Sequence, residues 1–306
     1  MAPTADPPIA GSLDVVWNSG TSRDEPAIQV HAYAENTIIL RQSKATSFEA
    51  PFLYLLFGQD RALLLDTGAT ADPAAFPLRA TVDWLIEQWL AARPRDGYEL
   101  VVAHSHGHGD HVAADGQFAD RPATTVIARE ADAVRSFFGL TDGWPEQTAA
   151  FDLGGRALEI IPSPGHHPAA ITVYDPSTGI LLTGDTVLPG RLLVFDAAAF
   201  RSTMDRLVAF AARRPVTHVL GCHVEMTRRP GRDFPIGATR QPDERGLAMT
   251  SRQLTAVRDA AAAMTGRRGV RRFDDFILYH EPRPWDLRRL LARGRMHQAW
   301  TRAFHR

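Results

Sequence analysis

Cysteine, lysine and net charge are all scarce in this chain, and each scarcity removes a class of protein. The single cysteine, Cys222, excludes an internal disulfide framework and a cysteine-rich zinc module. Lys44 is the only lysine among 34 basic residues, so arginine carries nearly all of the positive charge. A formal net charge of −1 over 306 residues gives no electrostatic reason to expect nucleic acid or an anionic membrane as partner. No uninterrupted apolar run approaches the roughly 20 residues that span a bilayer. The start, Met1 to Pro8, has neither the basic opening nor the apolar stretch of a secretory signal. With 44% hydrophobic and 23% charged residues, the expectation is a cytoplasmic globular enzyme acting on a small molecule.

What is present reads as strands first and alternating strands and helices later. Residues 1–27 are rich in Pro, Ala and Ser and suggest a flexible or extended leader. The β-like runs Gln29–Tyr33 and Thr37–Arg41 follow. Phe52–Phe57 and Ala62–Asp66 then flank Gly58-Gln-Asp-Arg61, a hairpin turn. Such continuous apolar runs suit strands buried on both faces. Leu78–Arg93 has Val82, Leu85, Ile86, Trp89 and Leu90 at helical spacing, and Pro94 stops it. Further strands are expected at Leu100–Ala103, Thr125–Ala128, Leu158–Ile161, Ala170–Tyr174, Ile180–Leu182 and His218–Leu220. Helices are expected at Glu130–Phe138, Ala197–Arg213 and Ser251–Met264. That order fits an α/β four-layer αββα sandwich spanning 28–266, two sheets face to face with helices outside. An Arg-rich appendage, 267–306, is expected to pack on the same domain as a strand (Phe276–Tyr279) and a short amphipathic helix. Its anchors Trp285, Leu287, Leu290, Leu291 and Trp300 would serve equally to cover a site, to pack on the helical layer or to form a homodimer contact.

The chemistry concentrates in His106-Gly-His108-Gly-Asp110-His111. A strand ending near Ala103–Ser105 projects alternate residues to one side, so His106 and His108 point together if the extended geometry persists. Gly107 and Gly109 remove bulk and let the backbone curl around an ion. Asp110 and His111 then open the next helix and approach the same space from another direction. Four ligand-type residues within six positions suit zinc, with iron or manganese as alternatives. His104 also forms a His-x-His pair with His106, but the frame is set by Asp110-His111, which leaves His104 in the strand. Three further ligand candidates stand at strand ends beside glycines: His166 in Pro-Gly-His, Asp185 in Thr-Gly-Asp-Thr and His223 in Gly-Cys-His.

These motifs, in this order over residues 30 to 225, resemble the metallo-β-lactamase superfamily. The resemblance implies a first metal site from His106, His108 and His166, a second from Asp110, His111 and His223, and Asp185 bridging two divalent ions. Such a pair, roughly 3.5–4 Å apart, can share a hydroxide and lower the pKa of water toward 7. Asp110 would orient that hydroxide or take its proton. Asp66, in Leu65-Asp-Thr-Gly68, resembles a family motif beside the site, which implies that it holds a ligand histidine in one tautomer. The alternative is a turn residue before Gly68. Asp185 separates this chain from true β-lactamases, which generally lack a bridging aspartate.

The segment Gly221–Thr227 is similar to the last-histidine motif of glyoxalase II enzymes, which cleave a glutathione thioester. The chain departs from that pattern in Val112-Ala-Ala-Asp115 and in His167, and Cys222 reads as a small buried thiol. The implied function is hydrolysis of a thioester, lactone or related acyl compound. The alternatives are a mononuclear iron persulfide dioxygenase and a phosphodiesterase on the same fold. The tract 225–246, long and broken by Pro and Gly, has the character of a lid. Its Arg228 and Arg229, with Arg232 and Arg240, are candidates to steer an anionic substrate, or are simply solvated.

Overall fold

A computed structural model describes residues 8–304. The first half of the chain forms β1 (Ile28–Ala34), β2 (Thr37–Gln42), β3 (Phe52–Phe57), β4 (Arg61–Leu65), α1 (Leu78–Ala92), β5 (Glu99–Ala103), α2 (Gly109–Val112), β6 (Thr124–Val126), α3 (Ala131–Phe137) and β7 (Ala149–Asp152). The second half forms β8 (Ala157–Pro162), β9 (Ile171–Asp175), β10 (Ile180–Gly184), β11 (Arg191–Val194), α4 (Ala197–Ala211) and β12 (His218–Gly221). It closes with β13 (Ala248–Met249), α5 (Ser251–Ala263), β14 (Gly269–Arg272), β15 (Ile277–His280) and α6 (Pro284–Phe304).

Side-chain alternation on buried strands builds the layers. On β3, Phe52, Tyr54 and Leu56 point into the core between the sheets, while Leu53, Leu55 and Phe57 join the layer that receives α1. β4 and β5 repeat the division: Leu63, Leu65, Val101 and Ala103 face inward, and Leu64, Leu100 and Val102 face α1. The first sheet has the order β1-β2-β3-β4-β5-β6 and the second β13-β12-β10-β9-β8-β7. Ile180, Leu182 and Leu220 of the second sheet fill the same central core, and Leu181 and Val219 turn outward beneath α4 and α5. α4 begins on Asp196, which accepts Ala199 N at 2.9 Å, and α5 on a Thr250–Gln253 capping box. The result is the expected αββα sandwich.

Strands β7, β11, β13 and β14 have no counterpart in the sequence reading. They are two to four residues long and carry too little alternation to stand out. β11 pairs in parallel with β15, and β14 with β15 antiparallel, so the C-terminal segment forms a third sheet with β11, which follows the second sheet's β10 in sequence. Its helix is not short: α6 runs 21 residues. Arg293 of α6 donates to the Asp233 carboxylate at 2.7 Å, and the α6 backbone at Gly294 lies against Ile236, leaving no room for a Cβ. α6 therefore clamps the 225–246 tract.

At the other terminus, residues 8–27 run as extended chain. They are held by Ile9 N to Ser177 O, Ser12 N to Tyr33 O and Gln241 N to Ser19 O, and Trp17 packs edge-on against Phe52. The rest of the expected leader, residues 1–7, lies outside the described residues. No helix among the described residues is long and apolar enough to cross a membrane.

Candidate metal centre

Strand register brings the sequence-distant motifs to one end of the sandwich. Leu65 pairs with Ala103 across β4 and β5, so Asp66 and His104 leave the first sheet at the same level. Gly184 pairs with Gly221 across β10 and β12, so Asp185 and His223 leave the second sheet side by side. Gly184 needs its glycine: its φ is +53°, and a Cβ there would lie 2.7 Å from Ser105 Cβ. Cross-sheet bonds lock this end, with Ile171 N donating to Ser105 O at 2.8 Å and Tyr54 Oη to Gly221 O at 2.6 Å.

Seven side chains converge there. His106 Nε2 lies 2.9 Å from His108 Nδ1, which lies 3.0 Å from His166 Nε2. Asp110 Oδ2 is 3.5 Å from His111 Nε2 and 3.3 Å from His223 Nε2. Asp185 stands between the groups: Oδ1 is 3.7 Å from His111 Nε2 and 3.5 Å from His223 Nε2, and Oδ2 is 3.7 Å from His166 Nε2. A tetrahedral ion with bonds of about 2.1 Å keeps its ligands about 3.4 Å apart. The separations around Asp110 and Asp185, 3.3–3.7 Å, match this, and those among His106, His108 and His166 are tighter, at 2.9 and 3.0 Å. The three-residue groups His106/His108/His166, Asp110/His111/His223 and His106/His111/Asp185 each hold their ligand atoms within 4.8 Å of one another.

The outward nitrogens of these histidines are already committed, which aims the others inward. His166 Nδ1 meets Leu193 O at 2.7 Å and His223 Nδ1 meets Glu49 O at 3.1 Å. His111 Nδ1 meets Asp66 Oδ2 at 3.0 Å. Each carbonyl or carboxylate fixes the N–H on the Nδ1 it meets and leaves the Nε2 lone pair pointing into the site. His111 Nε2, His223 Nε2 and Asp185 Oδ1 are buried with no hydrogen-bond partner. Buried polar atoms are rarely left so, and a cation is the group that would satisfy all three. The residues present fit a metal centre.

The carboxylates make this cluster attractive to positive charge, whether a proton or a metal ion. Burial, then the neighbouring His111, pushes His106 well below the usual imidazole range. Burial works against a charge on His223 and on His111, but the carboxylates outweigh it. Asp185 and Asp110 raise His223 to about 9, and Asp66 and Asp185 hold His111 well above its ordinary value. Burial likewise opposes ionisation of Asp110, yet His223 and His111 bring it to about 2.

Asp66 is fully buried, with φ +71°, in the left-handed region that Asp tolerates better than most residues. Besides His111 it accepts Ser105 N at 2.6 Å, Ser105 Oγ at 2.8 Å and Cys222 Sγ at 3.1 Å. Asp66 is thus more than a turn residue, and the Cys222 thiol faces it; burial, then the Asp66 charge, pushes that thiol up. His104 stays out of the cluster and bonds Asp115 at 2.9 Å. His167 lies beside it, its ring centroid 5.0 Å from that of His108, and burial then His108 bring it down to about 4.

Above the seven side chains lies a cavity of about 250 Å³. Arg228 and Arg229 do not line it: both are exposed, and Arg228 turns to Glu244 O. The guanidinium that does line it is Arg191, buried and held by Glu225 and by Asp233 at 3.1 Å. Sequence reasoning missed Arg191 and Glu49 because neither belongs to a motif, and Glu225 because its motif is marked by His223 alone. Glu49 and Leu193 act on the histidines through backbone carbonyls, which carry no residue signature.

Comparison with known proteins agrees with this architecture. The pattern of the metallo-beta-lactamase superfamily matches residues 48–238. A hydroxyacylglutathione hydrolase of Rhizobium meliloti is 30% identical over 125 residues, 39% of this chain and 48% of that protein, so the chain spans about half of that relative's length. One of the same name from Brucella ovis is 28% identical over 189 residues, 59% of this chain and 69% of that protein. Among solved structures, TMB-1 superposes with a TM-score of 0.50 at 14% identity, covering 78% of this chain and 100% of that one. VMB-1 does so with a TM-score of 0.50 at 15% identity, covering 79% and 99%. These two likenesses speak to fold alone. With the family pattern running through residues 48–238, more than half of its length, the chain belongs to the metallo-β-lactamase superfamily.

Proposed function

We propose that this protein is a metal-dependent hydrolase with a dinuclear centre that cleaves a thioester or a related ester-like bond in a small molecule. The observation that carries the reading is the convergence of seven ligand-type side chains with three buried ligand atoms left unbonded. His106, His108 and His166 would hold one ion, Asp110, His111 and His223 the other, and Asp185 would serve both through its two oxygens. Imidazole and carboxylate donors suit zinc, with iron or manganese as alternatives, and Cys222 is turned to Asp66 rather than to the site. When bound, two such ions supply Lewis acidity and bring the pKa of water toward neutrality.

The chain's own residues do the rest. Asp66 and the carbonyls of Leu193 and Glu49 fix the imidazole tautomers. Asp110, a carboxylate facing the cavity, is placed to orient the attacking water and accept its proton. The thioester is favoured because the relatives bear the name of a hydrolase of acylglutathione, itself a thioester.

The test is metal content by elemental analysis together with a panel of thioesters, lactones, β-lactams and phosphodiesters. About two divalent ions per chain with release of thiol are expected. One iron per chain with oxygen uptake would overturn the reading.

A further inference from the structure

The cavity over the metal centre has an apolar wall and a charged one. Leu188, Leu193, Phe195, Ile236 and Leu290 form the first, the last two brought in by the 225–246 tract and by α6. Apart from the carboxylates of the metal centre, Asp110 and Asp185, the charged side chains of the second wall are paired except at one residue. Arg191 is taken up by Glu225 and by Asp233, and its backbone N–H also donates to Glu225, at 2.6 Å. Lys44 is buried, donates to Phe48 O at 3.2 Å and does not line the cavity. Glu49 remains. Its backbone carbonyl serves His223, but its carboxylate faces the cavity with no hydrogen bond or ion pair among the described residues. The other charged groups around it are His223 and, of its own sign, Asp110, Glu225 and Asp185.

Glu49 is half-buried at the cavity wall, and its carboxylate is left to water for a partner. A ligand that brings an N–H cation replaces that water with a charge-assisted hydrogen bond. A ligand that brings a second carboxylate finds no free guanidinium or ammonium among the described residues of the cavity wall. We propose, on the strength of the hydrolase reading above, that the substrate is an acyl compound with an apolar body and an ammonium group, and that Glu49 selects it. The reaction stays a simple hydrolysis. The acyl–sulfur (or acyl–oxygen) bond breaks, water supplies hydroxyl to the acyl carbon and a proton to the leaving group, and the ammonium is bound but unchanged.

The probes are two thioesters with one apolar acyl chain, ending in an ammonium or in a neutral methyl, and their non-cleavable amide counterparts. Zinc-loaded wild-type protein is expected to favour the ammonium thioester roughly tenfold in kcat/KM, through KM rather than kcat. It should bind the ammonium amide tighter than the neutral one by the same factor in calorimetry. Glu49→Gln, which keeps the backbone carbonyl that serves His223, should bring both ratios to about one at unchanged zinc content, and Glu49→Asp should retain part of the preference. Equal binding of the two amides by wild type, or a preference untouched in Glu49→Gln, would overturn the assignment. The two readings separate cleanly. Turnover of both thioesters without preference sinks the role of Glu49 and leaves the hydrolase. Ammonium-selective amide binding with no turnover does the reverse.

Discussion

Arg156 and His111 are both buried polar groups, at opposite ends of the sandwich, and their surroundings differ in kind. Arg156 directly precedes β8, the strand that ends toward the metal centre, and all five of its N–H groups are matched. Nε and one terminal nitrogen meet Asp175 at 3.2 and 2.7 Å, and Thr37 Oγ1 lies at 2.6 Å. The remaining donors go to Phe57 O at 2.9 Å and to Asn36 O. Asp175 in turn accepts from Ser177 and Thr178. This closed network joins the two sheets and leaves nothing for a ligand to satisfy. At the other end, His111 and His223 are buried and Asp185 partly so, and each keeps a buried atom unbonded. One end is satisfied by the fold; the other is satisfied only when something binds. Three unbonded ligand atoms on neighbouring side chains, rather than burial or charge, set the metal centre apart from the Arg156 cluster.

Breaking each end separately sharpens that contrast. The largest effect is expected from Asp185→Ala, which should reduce hydrolysis to background and lower the bound-metal stoichiometry while the circular dichroism spectrum is retained. Full activity would refute the role of Asp185 between the ions. Arg156→Ala should do the opposite, costing about 3–5 kcal/mol in denaturant unfolding because it strands the buried Asp175. Metal content should be unaffected, and a loss of metal would show that the two ends are coupled.

Asp66→Asn is milder, since Asn tolerates the positive φ and keeps one acceptor. It should weaken metal affinity or activity by about 10- to 100-fold through a less firmly held His111, measured by competition with a chelator.

The smallest effect is on acid stability. Burial opposes ionisation of Asp175, but Arg156 outweighs it and holds the carboxyl below its ordinary value of 3.8. Its folded value lies beneath its unfolded one, so its contribution is complete above about pH 5 and is lost as pH falls through the folded value. Asp175→Asn should flatten that part of the unfolding curve against pH. An unchanged slope would mean that the pair does not govern acid stability.

Much of this was legible because the signals are local. The runs at Phe52–Phe57 and Ala62–Leu65 are apolar on every residue, so burial on both faces followed directly. The helices at Leu78, Ala197 and Ser251 are long enough for their periodicity to show. The cluster His106 to His111 announced a metal because ligand residues rarely crowd so closely without one. Arg228 and Arg229 misled because adjacency to His223 in sequence is not adjacency in space. After His223 the chain turns toward Arg191, so Glu225 and Ile236 face the cavity while the two arginines face solvent. The length of α6 escaped notice because most of its surface is polar, and its burial is concentrated at Leu290 against Met226, Ile277 and Tyr279.

The sequence by itself determined the sandwich and the identity of the seven candidate ligands, because alternation and motif spacing are properties of a few neighbouring residues. Tertiary structure decided which nitrogen of each histidine faces the site, that Asp66 rather than solvent holds His111, and that Glu49 is the charge left without a partner. Those outcomes depend on carbonyls and carboxylates 27 to 174 positions away, brought within 3.1 Å by strand register and sheet packing. No local pattern encodes that.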